Sequence, residues 1–391
     1  MDAPKISLCL IVGNEAPLIM RLLDSLKGCF DELRLVSAIG SQPTDATEEL
    51  VDIWCQKNGR RFGFDYYRNA GTETLDDEPL DPNNPATWPH VDDFAAARNL
   101  SFSLATGDWL MWADADDIIA PEGPAIIRAA VADAALHGLD FIAVPYDVGG
   151  GRIVPRTRLI KRGMGLWLQA VHEDLWIDPA RKAKKGIVAQ VFWRHDTTCK
   201  DRTGNGPRNL RILKYATRSN WHNEFALHEE LMGQGQLVEA RAKGMALINA
   251  KAPDDECAFT LRMNMAKMAD QFPEKLTWLL EAMKIMPNRR ELYAMLAVIH
   301  LEAQNPAKAL HYCRCMLAIP LPPVEARPRV FEMSLYAWLD AHIHAMVLRA
   351  AELANLPESQ GGIARAEIIM RNLFADAKGH ITLLFPVNGR L

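Results

Sequence analysis

The sequence predicts an α/β protein: an open, mostly parallel sheet over residues 1–204, followed by an all-α helical-repeat region over 205–391. Three observations predict it. The apolar runs Ile6–Val12 and Trp109–Ala113 are too dense for a one-faced strand and read as strands buried on both sides, as in a parallel sheet. Around them the chain alternates strand and helix patterns. From about Asn205 the composition turns helical, and prolines recur at Pro253, Pro287 and Pro320, spaced by 34 and 33 residues.

The elements follow in order. The first strand ends at Gly13-Asn14, and Pro17 suits the first turn of a helix whose stripe is Leu18, Leu22, Leu23 and Leu26. Leu33–Val36 is the second strand, and Asp45 caps the next helix with Glu48 set for a capping box. A third strand falls in Gly63–Tyr67. Thr72 to His90 holds five acidic residues and four prolines and reads as an irregular surface loop. Asp92 or Asp93 caps a helix running to about Ala105, closed by Gly107. The strand at Trp109–Ala113 then delivers Asp114-Ala115-Asp116-Asp117 to its carboxyl end, where ligands sit in open α/β sheets. Further strands are expected at Asp140–Val144, Ile153–Ile160 and Ile187–Trp193, in a mixed arrangement.

Ahead of the three recurring prolines, Met245, Leu279 and Tyr312 match in kind, as do Ile248, Ala282 and Cys315, and Ala252, Met286 and Ile319. Phe259 and Tyr293 each lie six residues past a proline. A period near 34 is that of tetratricopeptide repeats; ordinary amphipathic helices separated by prolines are the plainer reading.

Composition narrows the function classes. With 49% hydrophobic and 24% charged residues, both halves can build a core. A net charge of −5 argues against a generally basic nucleic-acid surface. One basic run, Arg181-Lys182-Ala183-Lys184-Lys185, reads as a solvated loop or as a contact for an anionic acceptor. Seven cysteines, an odd count without a CxxC pair, fit reduced thiols rather than a disulfide framework or zinc site. Met1–Lys5 lacks the basic start of a signal peptide, and no apolar stretch is long enough for a transmembrane helix, so a cytoplasmic location is expected.

Asp114 and Asp116, two apart at a strand end, leave the backbone on one side. Converging carboxylates there suit Mg²⁺ or Mn²⁺ bound to diphosphate oxygens; aspartates are also common in turns. Several blocks in order resemble the family-2 glycosyltransferases with the A-type nucleotide-sugar fold, and more closely the subgroup carrying tetratricopeptide repeats. They are Ile6–Glu15, Asp93-Phe94-Ala95-Ala96-Ala97-Arg98-Asn99, Ala105–Trp109 leading to Asp114-Ala115-Asp116, Val171-His172-Glu173, and His195 followed by Arg208-Asn209-Leu210.

The resemblance implies inverting sugar transfer from a nucleoside-diphosphate sugar, UDP-linked by default, to a hydroxyl or thiol acceptor that stays unidentified. Peptide, glycan, small molecule and modified nucleic acid all remain open. It implies Glu173 as the base, with Asp174 as second candidate, and a metal held by Asp116, His195 and Asp114. Glu15, Asp45, Arg98 and Asp114 are the candidate nucleotide-sugar contacts; Asp45 is first a helix cap, and Arg98 reads equally as a surface ion pair. His172 is a ligand or a structural histidine. The chain departs from the family twice: Ser37-Ala38-Ile39 stands where the family has an aspartate at the end of the second strand, near the nucleobase, and Asp196-Thr197 replaces a glycine after His195. The helical half is expected to capture acceptor or to form a homodimer. Two other readings stand beside this one. A degenerate transferase fold would act as a repeat-based binding scaffold. A nucleotidyltransferase would need a Gly-rich, basic phosphate loop, which Asn14-Glu15-Ala16-Pro17 is not.

Overall fold

The structure is a computed structural model. It describes residues 3–71, 81–149, 153–196, 205–216 and 221–320, with scattered positions between 322 and 369. The chain divides into two compact units, Met1–Ala226 and Leu227–Leu391.

Among the described residues, the first unit is built on one nine-stranded mixed sheet. Its strands are β1 (Ile6–Val12), β2 (Glu32–Ser37), β3 (Arg61–Tyr66), β4 (Trp109–Trp112), β5 (Asp117–Ile119), β6 (Phe141–Asp147), β7 (Ile153–Lys161), β10 (Lys185–Ile187) and β11 (Trp193–His195). The order is β3-β2-β1-β4-β7-β6-β11-β5, with β10 also on β6. β1 to β4 run parallel, β7 runs against both neighbours, and β5 runs against β11. β8 (Leu166–Leu168) and β9 (Asp174–Trp176) form a separate antiparallel hairpin.

The apolar density of β1 has the expected cause. Ile6, Leu8, Leu10 and Val12 enter one core with α1 (Ile19–Ser25) and α2 (Thr47–Lys57), together with Ile127, Val131 and Ala134 of α4 (Gly123–His137). Cys9, on the other face, packs with Ala95 and Phe102 of α3 (Phe94–Ser103). The Asp93 side chain caps α3 by accepting from the Ala96 N–H at 2.8 Å.

Two local expectations are corrected. Asp45 does not form a capping box on α2: the cap position falls on Ala46, and the Asp45 carboxylate instead accepts from the Thr47 and Ala16 N–H groups, tying two loops together. The strand expected over Ile187–Trp193 is two three-residue strands. After the buried Val188, Ala189, Gln190 and Val191 are all exposed, and Phe192 and Trp193 are then both buried, a pattern that breaks the two-residue alternation of a continuous strand. Residues 72–80 of the acidic loop lie outside the described residues.

After α5 (Asn205–Tyr215), helices α6 (Trp221–Gly233), α7 (Leu237–Asn249), α8 (Asp255–Met268), α9 (Phe272–Ile285), α10 (Arg290–Glu302) and α11 (Pro306–Ala318) follow. The proline period has a structural meaning. Pro253 and Pro287 precede α8 and α10, and Pro320 follows α11, so each interval encloses one helix pair. Phe259, Leu279, Ala282, Tyr293 and Tyr312 share one core, whereas Met245, the matching position in the first interval, is exposed. Among the described residues no helix is long and apolar enough to cross a membrane.

Candidate active site

The acidic turn closes at the carboxyl end of β4. The Asp117 N–H donates to the Asp114 carbonyl at 2.9 Å, and the Asp114 N–H returns to Asp117 Oδ2 at 3.0 Å. The chain then enters β5, whose Asp117 pairs in register with His195 of β11. This ladder brings Asp116, Asp117 and His195 together, with one ligand atom from each within 4.8 Å of the others. His195 Nδ1 lies 3.5 Å from Asp116 Oδ1 and 3.7 Å from Asp117 Oδ1. Hard carboxylate oxygens with one imidazole nitrogen form a donor set that fits Mn²⁺ or Mg²⁺. Asp196, at the position of the departure after His195, donates its N–H to the Asp116 carbonyl at 2.9 Å, and its carboxylate pairs with Arg21 at 2.8 Å.

Asp114 stands outside that trio. Its Oδ1 accepts from Arg98 Nη2 at 2.7 Å, and its Oδ2 lies 3.9 Å from Arg158 Nη1. Burial alone would raise the Asp114 pKa, but Arg98 and then Arg158 outweigh it and hold the carboxyl at about 2.

Arg98 also donates through Nε to Glu173 Oε1 at 2.7 Å. One planar guanidinium thus joins the acidic turn to the Val171-His172-Glu173 segment, and it lies over the Trp112 and Trp167 rings at 4.8 and 5.0 Å. The Asp93–Asn99 block explains how the segment is held. The Asn99 side chain donates to the Trp167 carbonyl and accepts from the Trp167 N–H, both at 2.9 Å, while the Phe94 N–H donates to the Ala170 carbonyl at 3.0 Å. His172, at φ 57°, is exposed and outside the Asp116–Asp117–His195 group. Asp174 pairs opposite Leu168 and shares a strand face with the exposed Trp176, away from the buried Trp167.

Sequence reasoning missed Arg158, Asp117, Tyr146 and Trp193. Arg158 is completely buried, an unusual position for an arginine, with its guanidinium 3.9, 4.3 and 4.7 Å from the Trp112, Tyr146 and Trp193 rings. The only sequence signal was a charge inside an apolar strand.

Glu15 and Asp45 meet at the carboxyl ends of β1 and β2. The Glu15 N–H donates to Thr47 Oγ1 at 2.9 Å, and its carbonyl accepts from Leu18 and Ile19 at the start of α1. A shallow open pocket lies there, lined by Gly13, Asn14, Ser37, Thr44, Asp45 and Glu48 among others.

Residues 87–176 match the family described as glycosyl transferase family 2. The matched segment contains Arg98, Asp114, Asp116, Arg158, Glu173 and Asp174, whereas Glu15, Asp45 and His195 lie outside it. Over 158 residues the chain is 32% identical to a TPR repeat-containing protein of Synechococcus elongatus, covering 40% of this chain and 30% of that protein. Over 176 residues it is 24% identical to the SPbeta prophage-derived glycosyltransferase SunS of Bacillus subtilis, covering 44% and 35%. The chain therefore spans about a third of the length of these curated relatives. Among solved structures, S. aureus TarS 1–349 in complex with UDP gives a TM-score of 0.35 at 15% identity, covering 79% of this chain and 88% of that one. Its complex with UDP-GlcNAc gives 0.33 at 16%, covering 79% and 89%. Both likenesses are too distant to bear on residue roles.

Proposed function

We propose that this chain is an inverting glycosyltransferase that moves a sugar from a nucleoside-diphosphate sugar, UDP-linked by default, to a hydroxyl or thiol acceptor. In this reading residues 1–204 would be the catalytic domain and 205–391 the helical domain. The observation that carries the reading is one arginine, Arg98, tying Glu173 to the same turn that sets Asp116 beside His195.

Charge supports it. Asp114, Asp117 and Glu173 pair with two guanidinium groups, Arg98 and Arg158, and Asp116 adds a fourth carboxylate to the cluster, which leaves an excess of two negative charges when all are ionised. A divalent cation balances that excess. Asp116 and His195 would hold it, with Asp114 close by on the same turn. When bound, the cation neutralises the departing diphosphate.

Glu173 takes the proton of the acceptor hydroxyl or thiol. The freed lone pair forms the new bond to the anomeric carbon while the bond from that carbon to the diphosphate oxygen breaks, and the electron pair leaves with the diphosphate. Arg98 fixes one Glu173 oxygen at 2.7 Å and so orients the other. Glu173 is preferred to Asp174 because its carboxylate turns in to Arg98, while Asp174 sits on the outward face of β9. Glu15 and Asp45, beside the pocket at the ends of β1 and β2, would meet the nucleoside.

A panel of nucleotide sugars with Mn²⁺, read by donor hydrolysis and thermal shift, tests this reading. One donor should stabilise the protein. Asp116→Ala should lose the metal-dependent part, and Glu173→Gln should bind donor but not transfer. Normal transfer by Glu173→Gln refutes the base assignment. No response to any donor favours a repeat-based binding scaffold.

A further inference from the structure

Within the Asp116–Asp117–His195 trio, Asp117 has both its oxygens engaged by groups inside the protein. It is completely buried. Its Oδ1 accepts from the Tyr146 hydroxyl at 2.6 Å. Its Oδ2 accepts from Trp193 Nε1 at 2.9 Å and from the Asp114 N–H at 3.0 Å, with Arg158 Nη2 at 3.1 Å. A carboxylate with that many donors has little capacity left for a cation. The arrangement reaches both remaining members of the trio through the backbone. Asp116 is the neighbour of Asp117, and His195 lies two residues beyond Trp193 on the strand paired with β5.

We infer that Asp117, Arg158, Tyr146 and Trp193 form a buried positioning cage that presets Asp116 and His195 for the cation without ligating it. The inference rests on the metal-assisted reading above. Arg158 sets its guanidinium against Asp117 where both side chains are closed off from solvent, so the buried carboxylate has an opposite charge beside it. The three aromatic rings around its guanidinium leave it no second geometry. Tyr146 and Trp193 then fix the rotation of the Asp117 carboxylate, and with it the direction of the Asp116–Asp117 peptide. Ligand-orienting partners of this kind typically set about 10–100-fold of metal affinity.

The test is a titration with Mn²⁺ alone, followed by the electron paramagnetic resonance signal of the free ion, on the full chain. Wild type is compared with Asp116→Ala, Tyr146→Phe and Trp193→Phe. Tyr67→Phe, which removes a similar phenol–carboxylate bond to Asp92, serves as control. Thermal midpoints are taken without metal. Tyr146→Phe deletes one hydroxyl and should weaken Mn²⁺ binding about tenfold, while Tyr67→Phe binds as wild type does. Trp193→Phe, which deletes the indole donor, gives a second reading should Tyr146→Phe fold poorly. A lowered midpoint with wild-type Mn²⁺ affinity in these variants overturns the cage, leaving a purely structural cluster. If wild type binds Mn²⁺ no better than Asp116→Ala, the cation reading itself falls, and the cage with it.

Discussion

Arg98→Lys isolates what the arginine's shape contributes, because the charge is kept. Arg98 makes two charge-assisted bonds of 2.7 Å to carboxylates on different segments, and it is nearly buried. A lysine ammonium can hold one of those carboxylates at that length but has no fork to reach both. The loss is one charge-assisted hydrogen bond, worth about 1.5–3 kcal/mol. Asp114 is 34% exposed, so water recovers part of the deficit, and about 2 kcal/mol is expected to remain. For a unit of this size that lowers the thermal midpoint by about 4–8 °C. Asp114 has its pKa lowered from 3.8 to about 2, so its share of stability is complete above pH 3.8 and disappears as pH falls through about 2. The deficit of Arg98→Lys should therefore be largest near neutral pH and close towards pH 2. Circular dichroism melts at several pH values measure both. A midpoint within about 1 °C of wild type, or a deficit independent of pH, refutes the bridging role.

Two further predictions concern the opposite end of the sheet. Burial would raise the Glu32 pKa, but bonds from Ser7 and Thr106, and then Arg34, hold it at about 2 against an ordinary 4.5. Its contribution of about 3 kcal/mol is thus present above pH 4.5 and lost as pH falls to about 2, and Glu32→Gln should flatten that limb of an acid-unfolding curve. At Gly107 a Cβ would lie 2.6 Å from Ser7 Oγ and 2.9 Å from the Lys5 carbonyl oxygen. Gly107→Ala should cost about 1–3 kcal/mol, read as a lower urea midpoint with an unchanged slope.

The sequence made the long elements legible because their patterns are redundant. β1 occupies the expected Ile6–Val12, and Asp93 caps α3 as its position before an apolar run suggested. The 34-residue period became helix pairs because proline cannot continue a helix. The short strands β5, β8, β9, β10 and β11 carry three residues each, too few for any periodicity to register. Within the site, Asp114, Asp116 and His195 were named together, yet Asp114 turned to Arg98 and Arg158 while Asp117 joined the trio. A spacing of two gives direction from the backbone but says nothing of which cation lies across the gap. Arg158 was missed because an arginine in a strand ordinarily faces water, and its burial is made tolerable by three aromatic rings from separate strands together with the Asp117 carboxylate.

The pairing of His195 with Asp117 has a consequence for how the protein matures. That ladder is three residues long and joins positions nearly eighty apart in the chain. A slip by a single residue would put Arg194 where the imidazole belongs. Contacts of such long sequence separation carry a loop-closure cost that slows their formation. A chain in which this ladder is unformed has the carboxylates but not the imidazole beside them. Loading with a cation would then report that assembly is finished, and a premature ion would find nothing arranged to keep it.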